Sequence, residues 1–118
     1  MRPDLVLCST ARRARATLDL TIHALDDPEV EFEDGLYHAS AAELLARLRV
    51  VGERSTDVLM IGHNPGLHDL LGVLAPPGPE AFPTGALAEL GLAIATWDEV
   101  SPGCARLEEL VLPRSLPG

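Results

Sequence analysis

The sequence lacks the features that mark membrane proteins, disulfide-rich proteins and metal sites. It has no run of about 18 uncharged apolar residues, so we expect no membrane-spanning helix. We expect no signal peptide, because Asp4 and a strand-like run follow Met1 almost at once. Its two cysteines, Cys8 and Cys104, form no CxxC pair and lie in apolar contexts, which favours buried thiols in a reducing cytoplasm. Potential ligands show no metal-site spacing, so we predict a cytoplasmic protein with neither metal nor cofactor.

Positive charge is also scarce. Nine Lys and Arg residues stand against 18 Asp and Glu residues, which gives a net charge of −9. This argues against nucleic acid and acidic membranes as partners, since both require a basic surface. Arg12, Arg13 and Arg15 nevertheless fall within four residues. Such a concentration fits either a local anion site or an exposed helix face with solubilising charge, and composition leaves the two open.

Aromatic residues make up only 3% of the chain, whereas 47% of it is apolar. Leu, Val and Ala must therefore fill the core. At 118 residues the chain is large enough for one hydrophobic core. No linker or internal repeat divides it, so we predict a single domain over residues 1–118.

Hydrophobic periodicity and turn residues predict eight elements. The predicted strands are Leu5 to Cys8, Val30 to Phe32, Val58 to Ile61, Ala86 to Thr96 and Ala105 to Leu112. The predicted helices are Ala11 to Ala24, Ala41 to Val50 and Leu67 to Leu74. We expect Ser9 and Thr10 to cap the first helix, and Ser40 to form a capping box with Glu43 on the second.

The element order β-α-β-α-β-α-β-β predicts an α/β fold. We expect a three-layer α/β/α domain with a mostly parallel sheet and antiparallel C-terminal strands. The segment from Ala75 to Pro83 contains four prolines, which exclude a helix and an interior strand. This loop either borders the site or is a plain connector. We expect the tail from Pro113 to Gly118 to be frayed.

His63 lies where a buried strand gives way to a helix. Gly62 ends the strand, and Asn64-Pro65-Gly66 is typical of a turn. In open α/β sheets, ligands bind at the carboxyl ends of the strands, and a helix start suits an anion. A lone histidine here could equally be a turn residue with a satisfied hydrogen bond.

Arg13 has the same placement after the first predicted strand. An arginine offers a planar fork for two oxygens of a phosphate, and a histidine beside it can donate a hydrogen bond or transfer a proton near neutral pH. Arg13 and His63 together therefore indicate a phosphoryl or carboxylate site. Asp34 and Glu33 are either acids of this site or solvated loop charges.

Two segments resemble motifs of the histidine phosphatase superfamily. Leu5 to Thr17, with Ser9 and an Arg13-Ala14 pair, resembles its second motif, although Thr10 stands where proline is usual. Val58 to Leu67 resembles its later motif, a strand ending in Gly-His. Leu36 to Ser40 and Pro83 to Leu87 are similar to connecting segments of its small SixA-like branch, the phosphohistidine phosphatases.

The resemblance implies a phosphatase that works by two-step phosphoryl transfer through a histidine. It implies a phosphorylated protein or a small phosphomonoester as substrate. Arg13 and His63 would be catalytic members of the phosphate clamp, and the phosphate ligands would be Arg13, His63, Asn64 and Ser9.

The family's first strand has no counterpart in this sequence. That strand ends in Arg-His-Gly or Arg-His-Ala and carries the nucleophilic histidine, whereas only four residues precede Leu5 here. His23, His38 and His68 do not replace it. We therefore expect an N-terminally truncated domain. Since the missing strand lies inside the family's sheet, we expect the strands at Leu5 and Val58 to expose edges or pair differently, which favours marginal stability or a homo-oligomer.

Three hypotheses follow. The chain is a SixA-like phosphatase whose sequence is cut short, a non-catalytic phosphate-binding module that keeps the clamp of Arg13 and His63 without the nucleophile, or a decayed or merely structural domain. The substrate and the oligomeric state stay open at this point.

Overall fold

The computed structural model describes residues 2–113, in which five strands and three α-helices follow the predicted order. The strands are β1 (Leu5–Ser9), β2 (Glu29–Glu33), β3 (Val58–Ile61), β4 (Leu87–Leu92) and β5 (Ala105–Val111). The helices are α1 (Arg12–Thr21), α2 (Ala41–Arg49) and α3 (Gly66–Leu74). None of the helices in this range is long and apolar enough to cross a membrane. The expectation for the tail lies outside the described residues, Pro113 excepted.

β1 is the central strand of a parallel three-stranded sheet with the order β2-β1-β3. Leu5 is aligned with Glu29 on one side and Val58 on the other. All five residues of β1 are buried, as expected for a strand with a neighbour on each edge. The strands at Leu5 and Val58 were expected to expose edges or to pair differently, and for β1 the first alternative is wrong, because β2 and β3 cover both of its edges. Within residues 2–113, β3 is paired on its β1 side only.

Alternate residues of the sheet face two different helix layers. On one face, Leu5 and Leu7 pack with Val58 and Met60 against the core that α2 and α3 share. On the other face, Val6 and Cys8 pack with Leu59 and Ile61 against Ala14 and Leu18 of α1. This period-two alternation builds helix layers on both faces, which confirms the three-layer α/β/α fold.

β4 and β5 form a separate antiparallel pair. Leu90 and Leu92 of β4 pack onto the core that α2 and α3 cover. β4 ends at Leu92, earlier than predicted; the Ala93 N–H still donates to the Cys104 carbonyl at 2.8 Å, and the chain then enters a turn. In that turn the Glu99 carboxylate accepts hydrogen bonds from the backbone N–H groups of Ala95 and Thr96, and Trp97 Nε1 donates to the Ser55 carbonyl at 2.7 Å.

The two predicted helix caps have different outcomes. Ser40 and Glu43 form the capping box on α2 as predicted, with hydrogen bonds of 3.0 and 3.1 Å. The predicted cap of α1 is wrong, because the N-cap is Ala11 and has no side-chain cap. Ser9 instead ends the buried strand β1. Its side chain points toward the end of β3, which leads to the site.

Candidate functional site

The carboxyl ends of β1 and β3 lie side by side. Cys8 is aligned with Ile61, so the residues that follow each strand meet at the same edge of the sheet. His63 Nε2 lies 2.8 Å from Ser9 Oγ in a hydrogen bond between side chains 54 residues apart in sequence. The sequence prediction that strand ends bring functional groups together is thus realised by Ser9 and His63.

Ser9 orients the His63 ring through the hydrogen bond to Nε2. It is completely buried, and its Oγ also accepts a hydrogen bond from the Ala11 N–H at 3.2 Å. A serine hydroxyl has one donor and two acceptor positions, so Ser9 can bond both partners at once. The hydrogen bond to the buried Ser9 directs Nε2 of His63 toward the protein interior. Among the described residues no hydrogen bond engages Nδ1 of His63, which is therefore the ring nitrogen open to a ligand. Direct binding of phosphate by Ser9 stays a prediction, since Ser9 lies beneath the ring.

His63 is a partly buried imidazole beside other positive groups. Burial lowers its pKa, and the nearby charges of His38 and then Arg13 lower it further. A lowered pKa favours the neutral form of the His63 ring when no anion is bound. Negative charge brought next to the ring would have the opposite effect, so the site is electrostatically prepared for an anion.

The three clustered arginines have different surroundings. Arg13 is exposed in the first turn of α1, close enough to His63 to affect its pKa, and makes no ion pair within residues 2–113. Arg15 points elsewhere, because its Nε donates to the Thr10 carbonyl at 3.0 Å and its guanidinium lies 4.9 Å from the centre of the Phe32 ring. The cluster is therefore not one uniform patch, and Arg13 is the member whose charge acts on His63.

Asn64 organises the turn after His63. Its Oδ1 accepts a hydrogen bond from the His68 N–H at 3.1 Å, and its Nδ2 donates to the Phe82 carbonyl. The His68 ring lies 2.8 Å from the Pro79 carbonyl through Nε2. These contacts attach the proline-rich loop to the start of α3, so the loop borders the site. The predicted role of Asn64 as a phosphate ligand stays a prediction, since both ends of its carboxamide are bonded within the protein.

A shallow cleft of about 290 Å³ opens beside His63, between the start of α3 and the loop before α2. Its lining residues are His38, Ala39, Ser40, His63, Asn64, Pro65, Gly66 and Asp69. The two walls approach closely at Gly66, where a Cβ would lie 2.2 Å from the Ala39 carbonyl oxygen. Only a glycine fits there without displacing one of the walls.

Sequence reasoning missed His38 as a member of this cleft. Its backbone is in the left-handed region, with φ of 59°, which is uncommon for a residue other than glycine. The Tyr37 ring lies edge-on to both imidazoles, with centroids 4.0 Å from His38 and 5.1 Å from His63. The only signal in the sequence was a histidine in a segment that resembled a family connector.

The two candidate acids are engaged in protein contacts. Asp34 accepts a hydrogen bond from the Thr10 hydroxyl, and Glu33 forms a two-point ion pair with Arg47, whose nitrogens lie 2.6 and 2.7 Å from the carboxylate oxygens. Within residues 2–113, no three His, Cys, Asp or Glu side chains are grouped as a metal site would require. What the arrangement offers is the Arg13 guanidinium and the His63 ring, both suited to an oxyanion.

Comparisons with known sequences show the relatives of this chain. No family model matches the sequence. The uncharacterized protein Rv1276c of Mycobacterium tuberculosis is 36% identical over 121 residues, covering 94% of this chain and 74% of that protein. The uncharacterized protein ML1117 of Mycobacterium leprae is 28% identical over 118 residues, covering 92% of this chain and 71% of that protein.

Solved structures with the same fold include proteins named phosphohistidine phosphatase SixA. That of Nakamurella multipartitia has a TM-score of 0.84 at 25% identity, covering 98% of this chain and 73% of that one. That of Agrobacterium tumefaciens has a TM-score of 0.76 at 28% identity, covering 95% and 69%. A protein histidine phosphatase SixA solved with tungstate shares the fold, with a TM-score of 0.75 at 24% identity. The chain belongs to the family of the mycobacterial proteins, and its structural neighbours are the SixA phosphohistidine phosphatases of the histidine phosphatase superfamily.

Proposed function

We propose that this chain is the phosphate-binding part of a SixA-type phosphatase that hydrolyses phosphohistidine or a small phosphomonoester. The observation that carries the proposal is the Ser9-anchored His63 at the carboxyl ends of β1 and β3, with Arg13 near enough for its charge to lower the pKa of His63. A phosphoryl group in the cleft would accept hydrogen bonds from the Arg13 guanidinium on one side and from the His63 imidazole on the other. These are the groups that stabilise charge on the equatorial oxygens during transfer.

Ser9 contributes by positioning. Ser9 holds Nε2 of His63 toward the protein interior, so Nδ1 faces the cleft. The orientation of the ring is therefore already set before the substrate binds. The neutral ring offers a hydrogen bond, and it can accept a proton as negative charge accumulates beside it.

The nucleophile is absent from these 118 residues, in which no histidine follows an arginine. By resemblance the nucleophile belongs to a strand ending in Arg-His. We propose that such a strand would lie between β3 and β4 and join the two sheets. Two features support this position. Among the described strands, β3 and β4 each pair on one side only, and both contribute half-buried apolar residues to the same core.

A second candidate function is binding without catalysis. It is favoured by a specific combination: Ser9 orients His63 and the charge of Arg13 acts on it, although the nucleophile is not among these residues. In that case the protein would hold phosphate or a phosphorylated group and release it unchanged. Pairing of two copies through the unpaired strand edges is a further proposal that fits either function.

The test measures binding and hydrolysis separately. Inorganic phosphate is expected to raise the melting temperature of the parent chain, and Arg13→Ala and His63→Ala are expected to remove that shift. Arg12→Ala is the matched control, since Arg12 is the exposed neighbour of Arg13. A phosphate shift that survives Arg13→Ala would contradict the proposed site.

Hydrolysis is then measured on p-nitrophenyl phosphate and on a phosphohistidine protein. We expect little activity from the chain alone. Activity should increase when an apolar peptide ending in Arg-His-Gly is added, but not when the peptide ends in Arg-Ala-Gly. Phosphate binding with no hydrolysis under either condition would favour the binding module.

A further inference from the structure

His38 lies on the wall of the cleft opposite α3, where it shares the lining with His63. We propose that His38 is a further phosphate ligand, which donates a hydrogen bond from its ring to the bound dianion and is protonated while the dianion is present. This proposal rests on the proposed function, since it adds a ligand to the same site.

The geometry makes the His38 ring available. His63 is bonded to Ser9, and His68 is bonded to the Pro79 carbonyl. Across residues 2–113 no such bond holds the His38 ring, which stands exposed at the mouth of the cleft in a T-shaped contact with Tyr37. Both nitrogens are therefore open to solvent or ligand.

The backbone at His38 supports a functional interpretation. A left-handed φ of 59° at a β-carbon-bearing residue carries a conformational penalty, and such outliers concentrate at ligand sites. The same turn brings Ala39 against Gly66 at the start of α3. The close approach fixes the distance between the two walls, so His38 is placed relative to His63 by packing that does not depend on a ligand.

The charges around His38 determine which ligand fits. Arg13 on α1 and His63 before α3 are positive or potentially positive, and Asp69 of α3 lines the same cleft. Glu43 of α2 is held by Ser40 in the capping box, and Asp34 is bonded to Thr10. A proton on His38 adds a further positive charge to this set. Attraction to Arg13 and to that proton grows with the negative charge of the ligand, which favours a phosphate dianion over a monoanion.

The consequence is that phosphate binding takes up a proton. The variant His38→Asn removes the imidazole, while asparagine still tolerates the left-handed backbone. Calorimetric titration with inorganic phosphate in buffers of different ionisation enthalpy measures the protons taken up. We expect His38→Asn to reduce this uptake and to weaken phosphate binding about fivefold at pH 6, and less than about twofold at pH 8.

The matched control is His23→Asn. His23 is also exposed, but it lies in the turn after α1 and is not among the residues that line this cleft. We expect this variant to bind phosphate like the parent at each pH. Because phosphate itself titrates, the variants are compared at the same pH rather than one variant across pH values.

Magnetic resonance of the histidine rings gives a readout that needs no phosphate. Since the charge of His38 lowers the pKa of His63, His38→Asn should raise the pKa of His63 toward its ordinary value. Unchanged phosphate affinity and proton uptake in His38→Asn would overturn this proposal while leaving Arg13-dependent binding intact. A parent chain that binds no phosphate would instead refute the proposed function and this ligand with it.

Discussion

The two outer edges of the parallel sheet are built differently. β2 carries Glu29, Glu31 and Glu33 along its length, and Arg47 of α2 bonds to Glu33 and lies 3.7 Å from Glu31. β3, on the opposite side, is Val58–Ile61 and has no charged residue; all four of its residues are half-buried. Charged edge strands discourage further pairing, whereas apolar edges invite it.

The difference separates the two outer edges by how readily each would pair with a further strand. The acidic edge lies away from His63 and is stabilised by an ion pair with a helix. The apolar edge runs directly into the turn that carries His63. The side of the sheet that is open to another strand is therefore the side at which the candidate site lies, as the proposed additional strand requires.

The largest expected effect tests this contrast within the core. Leu7→Ala removes a completely buried side chain from the central strand and should lower the free energy of unfolding by about 3–4 kcal/mol. Leu59→Ala makes the same chemical change in β3, where the residue is only half-buried, and should have roughly half that effect. Urea denaturation of both variants measures the difference.

Equal losses in the two variants would break the comparison. They would mean that another strand or a second copy of the chain covers β3 in solution. Measuring the oligomeric state of the parent at the same protein concentration distinguishes these explanations, because only a second copy makes the loss concentration-dependent.

A smaller effect concerns the turn that follows the open edge. Gly66→Ala would place a Cβ 2.2 Å from the Ala39 carbonyl oxygen, so one wall of the cleft must move. We expect this to lower the free energy of unfolding by about 2–3 kcal/mol. Gly62→Ala is the matched control, because its Cβ would meet Leu67 at 3.6 Å, an ordinary contact, and should change stability by less than about 0.5 kcal/mol. Thermal melts compare the two. If both glycines tolerate alanine, the walls of the cleft are not fixed by packing.

Much of the fold and part of the site could be predicted from sequence patterns. Leu5, Leu7 and the run from Val58 predicted parallel strands because short apolar runs alternate with amphipathic helices. The placement of Arg13 and His63 after two such strands predicted that the ends of β1 and β3 lie side by side, since parallel strands end at the same edge of the sheet. The clamp of these two side chains stays a prediction. The capping box of Ser40 and Glu43 was predictable because it is wholly local.

What could not be predicted depends on contacts between distant segments. Ser9 was expected to cap α1, but its hydroxyl bonds to a histidine 54 residues away as well as to the Ala11 N–H. The order of the strands in the sheet, which gives β1 two neighbours, is likewise set by packing rather than by local pattern. His38 joins the cleft only because a left-handed turn and the close approach at Gly66 bring its loop to α3.

The smallest expected effect is the pH dependence that His63 gives to folding. Its pKa in the folded chain is lowered by burial and by the charges of His38 and Arg13. The unfolded chain therefore binds more protons between the ordinary histidine pKa of about 6.5 and the lower folded value. The free energy of unfolding must fall as the pH falls through that window and be insensitive to this residue above it.

In His63→Gln this dependence of the free energy of unfolding on pH should disappear. Urea denaturation midpoints of the parent and the variant at matched pH values measure it. Equal slopes would mean that the ring is not desolvated as the Ser9 contact requires, and the prepared site at the open edge would lose its electrostatic basis.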